Sequence, residues 1–396
     1  MQNPSQQMTA AQQQAQQQAQ NNAIRADILA NSQRMKQQIA STTIANSATT
    51  QVNVPTQNVG LITGFLVKVV AQIANPGAGS SLLTLTPNGP ANLIQNVTFT
   101  DLQNYQRINT SGWHISVVKS LRQKSPFGSS TPTDSPMGYG SNWTVIKAPT
   151  TIAAGVTGTI TMYYWIPLAF SDDTLVGSIY ANVVNATMNL QMTFATPAQA
   201  VVSNTSDPSL AVYQGAGAVA GVTIPTLTYT VFQYYFDQLR QSSKGPILPS
   251  IDIGTMYELK TTPFSNFVAG QDNYMGYSNF RHFLSTAVLW DNQVNGVYPA
   301  NGSDINYFSL RTANTTDLQK LDPSTWKLTE RAILTTDAPT PIYLFDWIGK
   351  PIYTSTQGNM NLVVNPSVVN TGFNALVGWE DLANINNLLN ASALSS

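Results

Sequence analysis

Apolar and polar residues alternate with a period of two through most of the chain after Gly60, and this pattern restricts the possible folds more than any other feature. In LITGFLVKVVAQIA the apolar residues on one face are Phe65, Val67, Val69, Ala71 and Ile73, and NATMNLQMTF repeats the alternation. Similar short runs include SGWHISVV, TGTITMYYWIP, PTLTYTVFQYYF, RHFLSTAVLW, LTERAIL and PIYLFDW, with Gly, Pro, Asn, Asp and Ser between them. No strand alternates with a helix. The sequence therefore predicts an all-β fold of antiparallel strands, as in a sandwich or jelly roll.

The number of strands predicts two such units rather than one. A length of 396 residues with 42% hydrophobic content is enough for two domains with large cores. The Ser-, Gly- and Pro-rich stretch QSSKGPILPS, residues 241–250, is the predicted boundary between the two domains. The predicted organisation is an N-terminal helical arm over residues 1–45, a first jelly roll over 46–245, a second over 246–384 and a C-terminal tail over 385–396.

Two long connections, residues 123–140 and 197–224, are rich in Ser, Thr, Pro, Gly and Ala. Loops of this length in a compact domain are usually functional or make contacts. We therefore expect both to form surfaces that meet other subunits or project outward.

The arm has a different pattern. AAQQQAQQQAQNNAIRADILANSQRMKQQIA, residues 10–40, is built from good helix formers and contains neither Gly nor Pro. A helix from Gln12 to Ile39 would be roughly 40 Å long at ~1.5 Å per residue. Its thin apolar stripe with flanking basic residues predicts a surface for a membrane or a neighbouring subunit, formed by Ile24, Arg25, Ile28, Arg34, Met35, Lys36 and Ile39.

Low charge is the main feature of the composition. Charged residues make up 9% of the chain, against about 25% in an average soluble domain, and the net charge is −1. A neutral polar surface lacks long-range repulsion and suits a subunit that makes extensive contacts. Without a basic stripe to neutralise phosphates, we expect no direct contact with nucleic acid.

The sequence offers little material for catalysis or metal binding. It contains no Cys, and its two His residues, His114 and His282, stand alone in predicted strands. No paired carboxylates are visible. The sequence therefore predicts no enzyme activity, no cofactor and no metal site. The N-terminus also lacks the basic start and apolar core of a signal peptide, so neither export nor a membrane span is predicted.

Specific stretches between about Val59 and Asn370 carry a family resemblance: VGLITGFLVKV, GPANLIQ, TSGWHI, TDSPMGYG, TIAAGVTGTITMYYWIPLA, YQGAGA, YTVFQYYFDQL, GSDINYFSLRTAN, KLDPSTW, KPIYT and VVNPSVVN. In these stretches the chain resembles the double-jelly-roll major capsid proteins of tectiviruses, which are icosahedral bacteriophages with an internal membrane. The match is poorest in the Gln-rich arm and after Thr371.

The resemblance implies two eight-stranded jelly rolls side by side, in a homotrimer whose six rolls make a pseudo-hexagonal tile. Such tiles pave an icosahedral shell over a membrane that encloses double-stranded DNA. It also implies that the arm lies between neighbouring capsomers and the internal membrane, and that separate vertex and minor cementing proteins complete the shell. The protein would be made in the host cytoplasm and reside in the virion.

Two other functions are compatible with the residues alone. A jelly-roll protein that binds a receptor or carbohydrate shares the architecture, and exposed Trp and Tyr side chains would stack on sugars. A glycan-active enzyme on a β-sandwich would need a carboxylate pair in a cleft, for which the sequence gives no sign.

Overall fold

The computed structural model describes residues 10–45, 51–77, 81–123, 147–171, 174–181, 187–216, 219, 221–249, 255–299, 302–312, 316–334, 341–347, 351–354 and 360–384. The helices are α1 Ala10–Asn31, α2 Gly112–Gln123, α3 Pro197–Ala200 and α4 Pro323–Leu334, with a 3₁₀ helix at Gly89–Leu93. The strands are β1 Gln33–Ala45, β2 Gln51–Pro55, β3 Leu61–Ala74, β4 Leu83–Leu85, β5 Ile94–Thr100, β6 Gln106–Thr110, β7 Thr151–Ile152, β8 Thr157–Pro167, β9 Ile179–Tyr180, β10 Asn189–Phe194, β11 Val201–Ser203, β12 Tyr213–Gly215, β13 Thr226–Asp237, β14 Gln241–Ser242, β15 Gly245–Pro246, β16 Thr255–Phe264, β17 Asn273–Gly276, β18 Arg281–Trp290, β19 Ile305–Thr312, β20 Thr316–Leu321, β21 Ile342–Asp346, β22 Ile352–Tyr353, β23 Met360–Pro366 and β24 Ala375–Asn384.

The first jelly roll packs two four-stranded layers face to face. One layer has the order β1-β13-β3-β8, with β9 beside β3, and the other has the order β2-β10-β5-β6. Phe65 of β3 and Phe99 of β5 meet across the layers with ring centroids 5.5 Å apart, and Phe194 meets Tyr229 at 5.7 Å. The alternation predicted in β3 is confirmed, because all five of its inward residues are fully buried.

The second jelly roll repeats the arrangement. Its layers are β16-β24-β18-β21, with β22 beside β18, and β17-β23-β19-β20. Phe308 of β19 lies 5.4 Å from Phe345 of β21, within an aromatic core separate from that of the first roll. The predicted all-β fold with two eight-stranded rolls is confirmed.

One sheet passes through both rolls. Strand β6 of the first roll pairs in parallel with β16 of the second, with Ile108 opposite Leu259 and both side chains buried. This pairing joins the two inner layers into the continuous order β2-β10-β5-β6-β16-β24-β18-β21. The rolls therefore share backbone hydrogen bonds as well as side-chain contacts.

Two segments predicted as strands are helices. SGWHISVV lies in α2, where Trp113, Val117 and Leu121 repeat every four residues and are all buried. LTERAIL lies in α4, which starts at Pro323 and is capped by Asp322, whose Oδ1 accepts a hydrogen bond from the Thr325 backbone N–H at 3.0 Å. In both segments the apolar residues suit either period, and the helical one is adopted.

The predicted connections have different outcomes. The connection over residues 197–224 is not a simple loop, because it contains α3, β11 and β12. In a small additional sheet, β12 lies between β11 and β4, and β7 follows β4. The connection over residues 123–140 lies outside the described residues except for Gln123.

Candidate functional site: the arm and the seam between the rolls

Helix α1 ends at Asn31. The Ser32 backbone N–H donates to the Ile28 carbonyl oxygen at 3.0 Å, and the Ser32 hydroxyl donates to the same oxygen. The chain then enters β1. The predicted helix from Gln12 to Ile39 is therefore wrong only after Asn31, over residues 32–39.

The last turns of α1 are fastened to the first roll by a small apolar cluster, which we call the foothold. Its buried members are Ile28, Leu61, Leu175, Phe236 and Leu239, and Ile24 packs at its edge. Ile28 is 3% exposed. Arg240 Nε lies 3.6 Å from Asp27 Oδ2 beside the cluster. The foothold holds the helix by its C-terminal end.

The other end of α1 is exposed. Gln12, Gln13 and residues 15–20 all have exposed side chains, whereas Asn21 is the first buried residue along the described part of the helix. Residues 12–20 rise about 12 Å at ~1.5 Å per residue. More than two turns of polar helix therefore project from the body of this chain.

The second half of the predicted stripe belongs to β1, an outer strand of its sheet that pairs with β13 from Gln33–Asp237 to Ala45–Thr226. Met35 and Ile39 pack against the core of the first roll. Strand pairing explains the difference from the prediction, because β13 provides hydrogen-bond partners along the whole of β1. The last residues of β1 also favour a pleated strand, since Thr42, Thr43 and Ile44 are β-branched.

The seven predicted site residues thus divide into two groups. Ile24, Ile28, Met35 and Ile39 face this chain's own cores. Arg34 and Lys36 are exposed on β1, and Arg25 is half-buried on α1, where its guanidinium donates to Asn22 Oδ1 at 3.0 Å. The three basic residues are therefore the part of this set that faces outward.

The seam between the rolls is sealed by buried polar and close-packed residues. Thr110 Oγ1 lies 2.7 Å from both Thr261 Oγ1 and His114 Nδ1. The fully buried His114 ring packs on Gly378 of β24, so closely that a side chain at position 378 would overlap it. Burial lowers the pKa of His114 to about 3, which keeps the imidazole neutral.

A buried charge cluster lies at the end of the seam near the arm. Arg281 NH1 lies 2.7 Å from Glu258 Oε2 and 2.7 Å from Asp381 Oδ1. Lys260 also pairs with Glu258. Tyr105, from the first roll, donates to Glu258 Oε1 at 2.8 Å. All four charged groups belong to the second roll, and Tyr105 connects the cluster to the first roll, since its hydroxyl also accepts from Arg281 NH2 at 3.2 Å.

Comparison with known proteins assigns the family. Residues 2–239 match the family described as P3 major capsid protein N-terminal, and residues 254–396 match P3 major capsid protein C-terminal.

The chain belongs to the P3 major capsid protein family.

A relative within this family is the major capsid protein P3 of Enterobacteria phage PRD1, which is 42% identical over 393 residues, or 99% of this chain and 98% of the relative. Two solved structures share the fold alone, each at 12% identity. The MCP of STIV, the Sulfolobus Turreted Icosahedral Virus, has a TM-score of 0.62 and covers 89% of this chain and 97% of its own. The VP54 protein of PBCV-1 has a TM-score of 0.53 and covers 89% and 94%.

The comparisons confirm the predicted class of protein. As a P3-family major capsid protein, the chain is a structural coat protein and a component of the virion. This identity excludes receptor or carbohydrate binding and glycan-active catalysis as its main role. The domain bounds at residues 45, 245 and 384 stay predictions. Within the described residues, no helix combines the length and hydropathy needed to cross a membrane.

The sequence reasoning missed the contacts that make the P3-family fold a single unit. Phe236 and Leu239 of the foothold lie about 200 residues from Ile28, so no local pattern connects them. Glu258 and Arg281 did carry a signal. Glu258 lies between Tyr257 and Leu259, Arg281 begins the largely apolar run RHFLSTAVLW, and a charge in such a position needs a buried partner.

Proposed function

We propose that this coat protein assembles as homotrimers whose six jelly rolls form a pseudo-hexagonal tile of an icosahedral shell. The observation that supports the trimer best is the single sheet that crosses both rolls. It holds two similar eight-stranded units side by side in one rigid subunit, so that three copies around an axis present six similar units.

We further propose that the arm lies on the inner side of the shell, between neighbouring capsomers and an internal membrane that encloses double-stranded DNA. The projecting part of α1 supports a contact outside the subunit. Arg25, Arg34 and Lys36 each add up to about 1 kcal/mol of attraction to an anionic lipid surface. One arm binds weakly, but a closed shell presents many arms at once. Vertex and minor cementing proteins are its other expected partners, and no direct contact with DNA is expected.

The trimer is tested by light scattering and negative-stain microscopy of the full chain. A mass of three subunits with a hexagonal outline is expected. A monomer that binds glycans would overturn the proposal. Deletion of residues 1–20 then tests the arm, because it leaves the foothold and β1 intact; removal of residues 1–45 would strip an outer strand from the first roll. The shortened chain should still form trimers but fail to join them.

Membrane contact is tested by co-sedimentation of assembled capsomers with anionic vesicles. Arg25, Arg34 and Lys36 are changed together to Ala. The control changes Lys147 and Lys320, which are exposed and belong to other parts of the fold. We expect the arm variant to lose most binding and the control to keep it. Equal binding by the two variants would refute the charge contribution.

A further inference from the structure

The second contact between the rolls lies at the end of the seam away from the arm. Leu61 of β3 is in the foothold, whereas Ala74, at the other end of β3, is about 40 Å away at ~3.3 Å per residue. Ala74 bonds with Thr223, and the adjoining small sheet β11-β12-β4-β7 covers this far end.

There a tight loop of the second roll touches the first roll. The loop follows β18, and its residue Gly296 has a φ of +76°. Gly296 sits so close to the first roll that a Cβ atom would lie 2.7 Å from Nε2 of Gln214 in β12. Two residues of this loop contact Asp207 of the first roll. The Tyr298 hydroxyl donates to it, and the Asp291 side chain forms a hydrogen bond with the Asp207 side chain. Two carboxyl groups, one from each roll, thus meet at the seam.

Hydrogen-bond donors surround only one of the two carboxyl groups. Asp207 Oδ1 accepts from the Ser209 backbone N–H at 2.8 Å and from the Tyr298 hydroxyl at 3.2 Å, and Asp207 Oδ2 accepts from the Ser209 hydroxyl at 2.8 Å. Asp291 Oδ1 is buried without a hydrogen-bond partner, and the Asp291 side chain bonds to that of Asp207. A hydrogen bond between two carboxyl groups needs one proton, and Asp291, whose pKa is raised, is the group that carries it.

Among the described residues, the titratable groups coupled to Asp291 are Asp207, on the loop before β12, and Tyr298, on its own loop. Burial, followed by the charge of Asp207, raises the pKa of Asp291 to about 9. The same causes raise the pKa of the Tyr298 hydroxyl above its usual range. Burial and the neighbouring Asp207 carboxyl group therefore favour a proton on Asp291.

We propose that Asp207 and Asp291 form a proton-dependent clasp between the two jelly rolls. With one shared proton the pair joins the rolls at the end away from the arm, and without it two half-buried carboxylates repel each other across the seam. The coat protein thereby gains a contact whose strength depends on pH, in addition to the pH-independent pairing of β6 with β16.

The direction of the pH effect follows from linkage. Asp291 keeps its proton in the folded chain up to about pH 9, whereas an unfolded Asp loses it near pH 4. The folded state therefore binds one more proton between these values, and the unfolding constant rises by up to tenfold per pH unit until about pH 9. Asp291→Asn keeps an N–H donor for Asp207 and carries no proton to lose, so this dependence disappears.

The test is chemical unfolding of the full chain and its variants between pH 6 and pH 9. We expect Asp291→Asn to gain stability relative to the unmodified chain as pH rises, by at least several-fold in the unfolding constant. Asp237→Asn, an exposed control at the arm end of β13, should follow the unmodified chain. Hydrogen exchange of residues 291–298, compared at one pH, should show slower local opening in Asp291→Asn at pH 9.

Two results would overturn the clasp. Parallel pH profiles of Asp291→Asn and the unmodified chain would show that no proton is shared. Asp207→Asn tests the pair itself, because it removes the neighbouring carboxyl group but leaves Asp291 in place; the profile should become shallower, and a profile as steep as that of the unmodified chain would show that burial alone holds the proton on Asp291.

Discussion

The contact between His114 and Gly378 allows a quantitative prediction about the seam. A Cβ atom at position 378 would lie 2.5 Å from both Cγ and Nε2 of His114. Ordinary van der Waals contacts of a Cβ begin at about 3.4 Å, so Gly378→Ala requires a shift of about 1 Å. The His114 ring is fully buried, with Trp113 beside it at a centroid distance of 5.6 Å. The shift must therefore spread into the seam.

Overpacking of this size costs about 1–3 kcal/mol. An unfolding entropy of about 2.1 cal/mol/K per residue gives roughly 0.8 kcal/mol/K for 396 residues. Gly378→Ala should accordingly lower the Tm by about 1–4 °C in calorimetry at neutral pH. Gly77→Ala is the matched control, because no atom lies within 4 Å of a Cβ at position 77.

A double-mutant cycle isolates the contact. His114→Ala removes the ring, so adding Gly378→Ala to it should cost almost nothing further. If Gly378→Ala lowers the Tm no more than Gly77→Ala, the close packing is refuted. An equal cost with and without the imidazole would show that the effect arises from the strand backbone and not from His114.

Two further predictions concern the arm and acid stability. Ile28→Ala should cost about 2 kcal/mol or more of local stability and speed tryptic cleavage after Arg25. The Tm of the rolls should not change, because the foothold is separate from their cores. Leu29→Ala, at a residue 39% exposed, should have no effect, and cleavage at equal rates in the two variants would contradict the foothold. The low pKa of His114 means that the unfolded chain takes up a proton below about pH 6.5 while the folded chain resists until about pH 3, so stability should fall as pH drops through this window. His114→Gln should weaken this fall in urea midpoints measured at pH 7 and pH 4.5, and a profile as steep as that of the unmodified chain would exclude His114 as its cause.

The sequence predicts the strands of the rolls well because their pattern is set locally by burial of one face. In β10, Leu190, Met192 and Phe194 point inward and Asn189, Gln191 and Thr193 are half-buried, as the alternation requires. Such a pattern survives whatever the rest of the chain does. The resemblance to a known family then supplies the connection of strands into two rolls, which alternation alone leaves open.

The helices show where local pattern is insufficient. In α2 nearly every described residue is buried, so polar residues do not mark an outer face and the apolar spacing fits a strand or a helix. In α4 a decisive signal was present in the order Asp322-Pro323, since Asp caps a helix and Pro suits its first position. This start signal decides the structure, although the apolar run that follows also suits a strand.

In the arm, helix propensity alone extends the predicted helix beyond its observed end. Ala and Gln correctly predict α1, but helix propensity does not show that β13 provides hydrogen bonds to Gln33–Ala45. Tertiary pairing overrides a weak propensity. The same applies to the clasp and the foothold, in which each partner comes from a distant part of the chain.

The pairing of β1 with β13 also sets an order of events during synthesis. Gln33 and Asp237 are partners about 200 residues apart. At roughly 5–20 residues per second, a ribosome needs about 10–40 s to make the chain between them. For that time the arm has neither its strand partner nor the Phe236 and Leu239 of its foothold. A nascent subunit therefore cannot present a correctly placed arm to its neighbours before its first jelly roll has been translated, and shell assembly is restricted to chains that have passed this point.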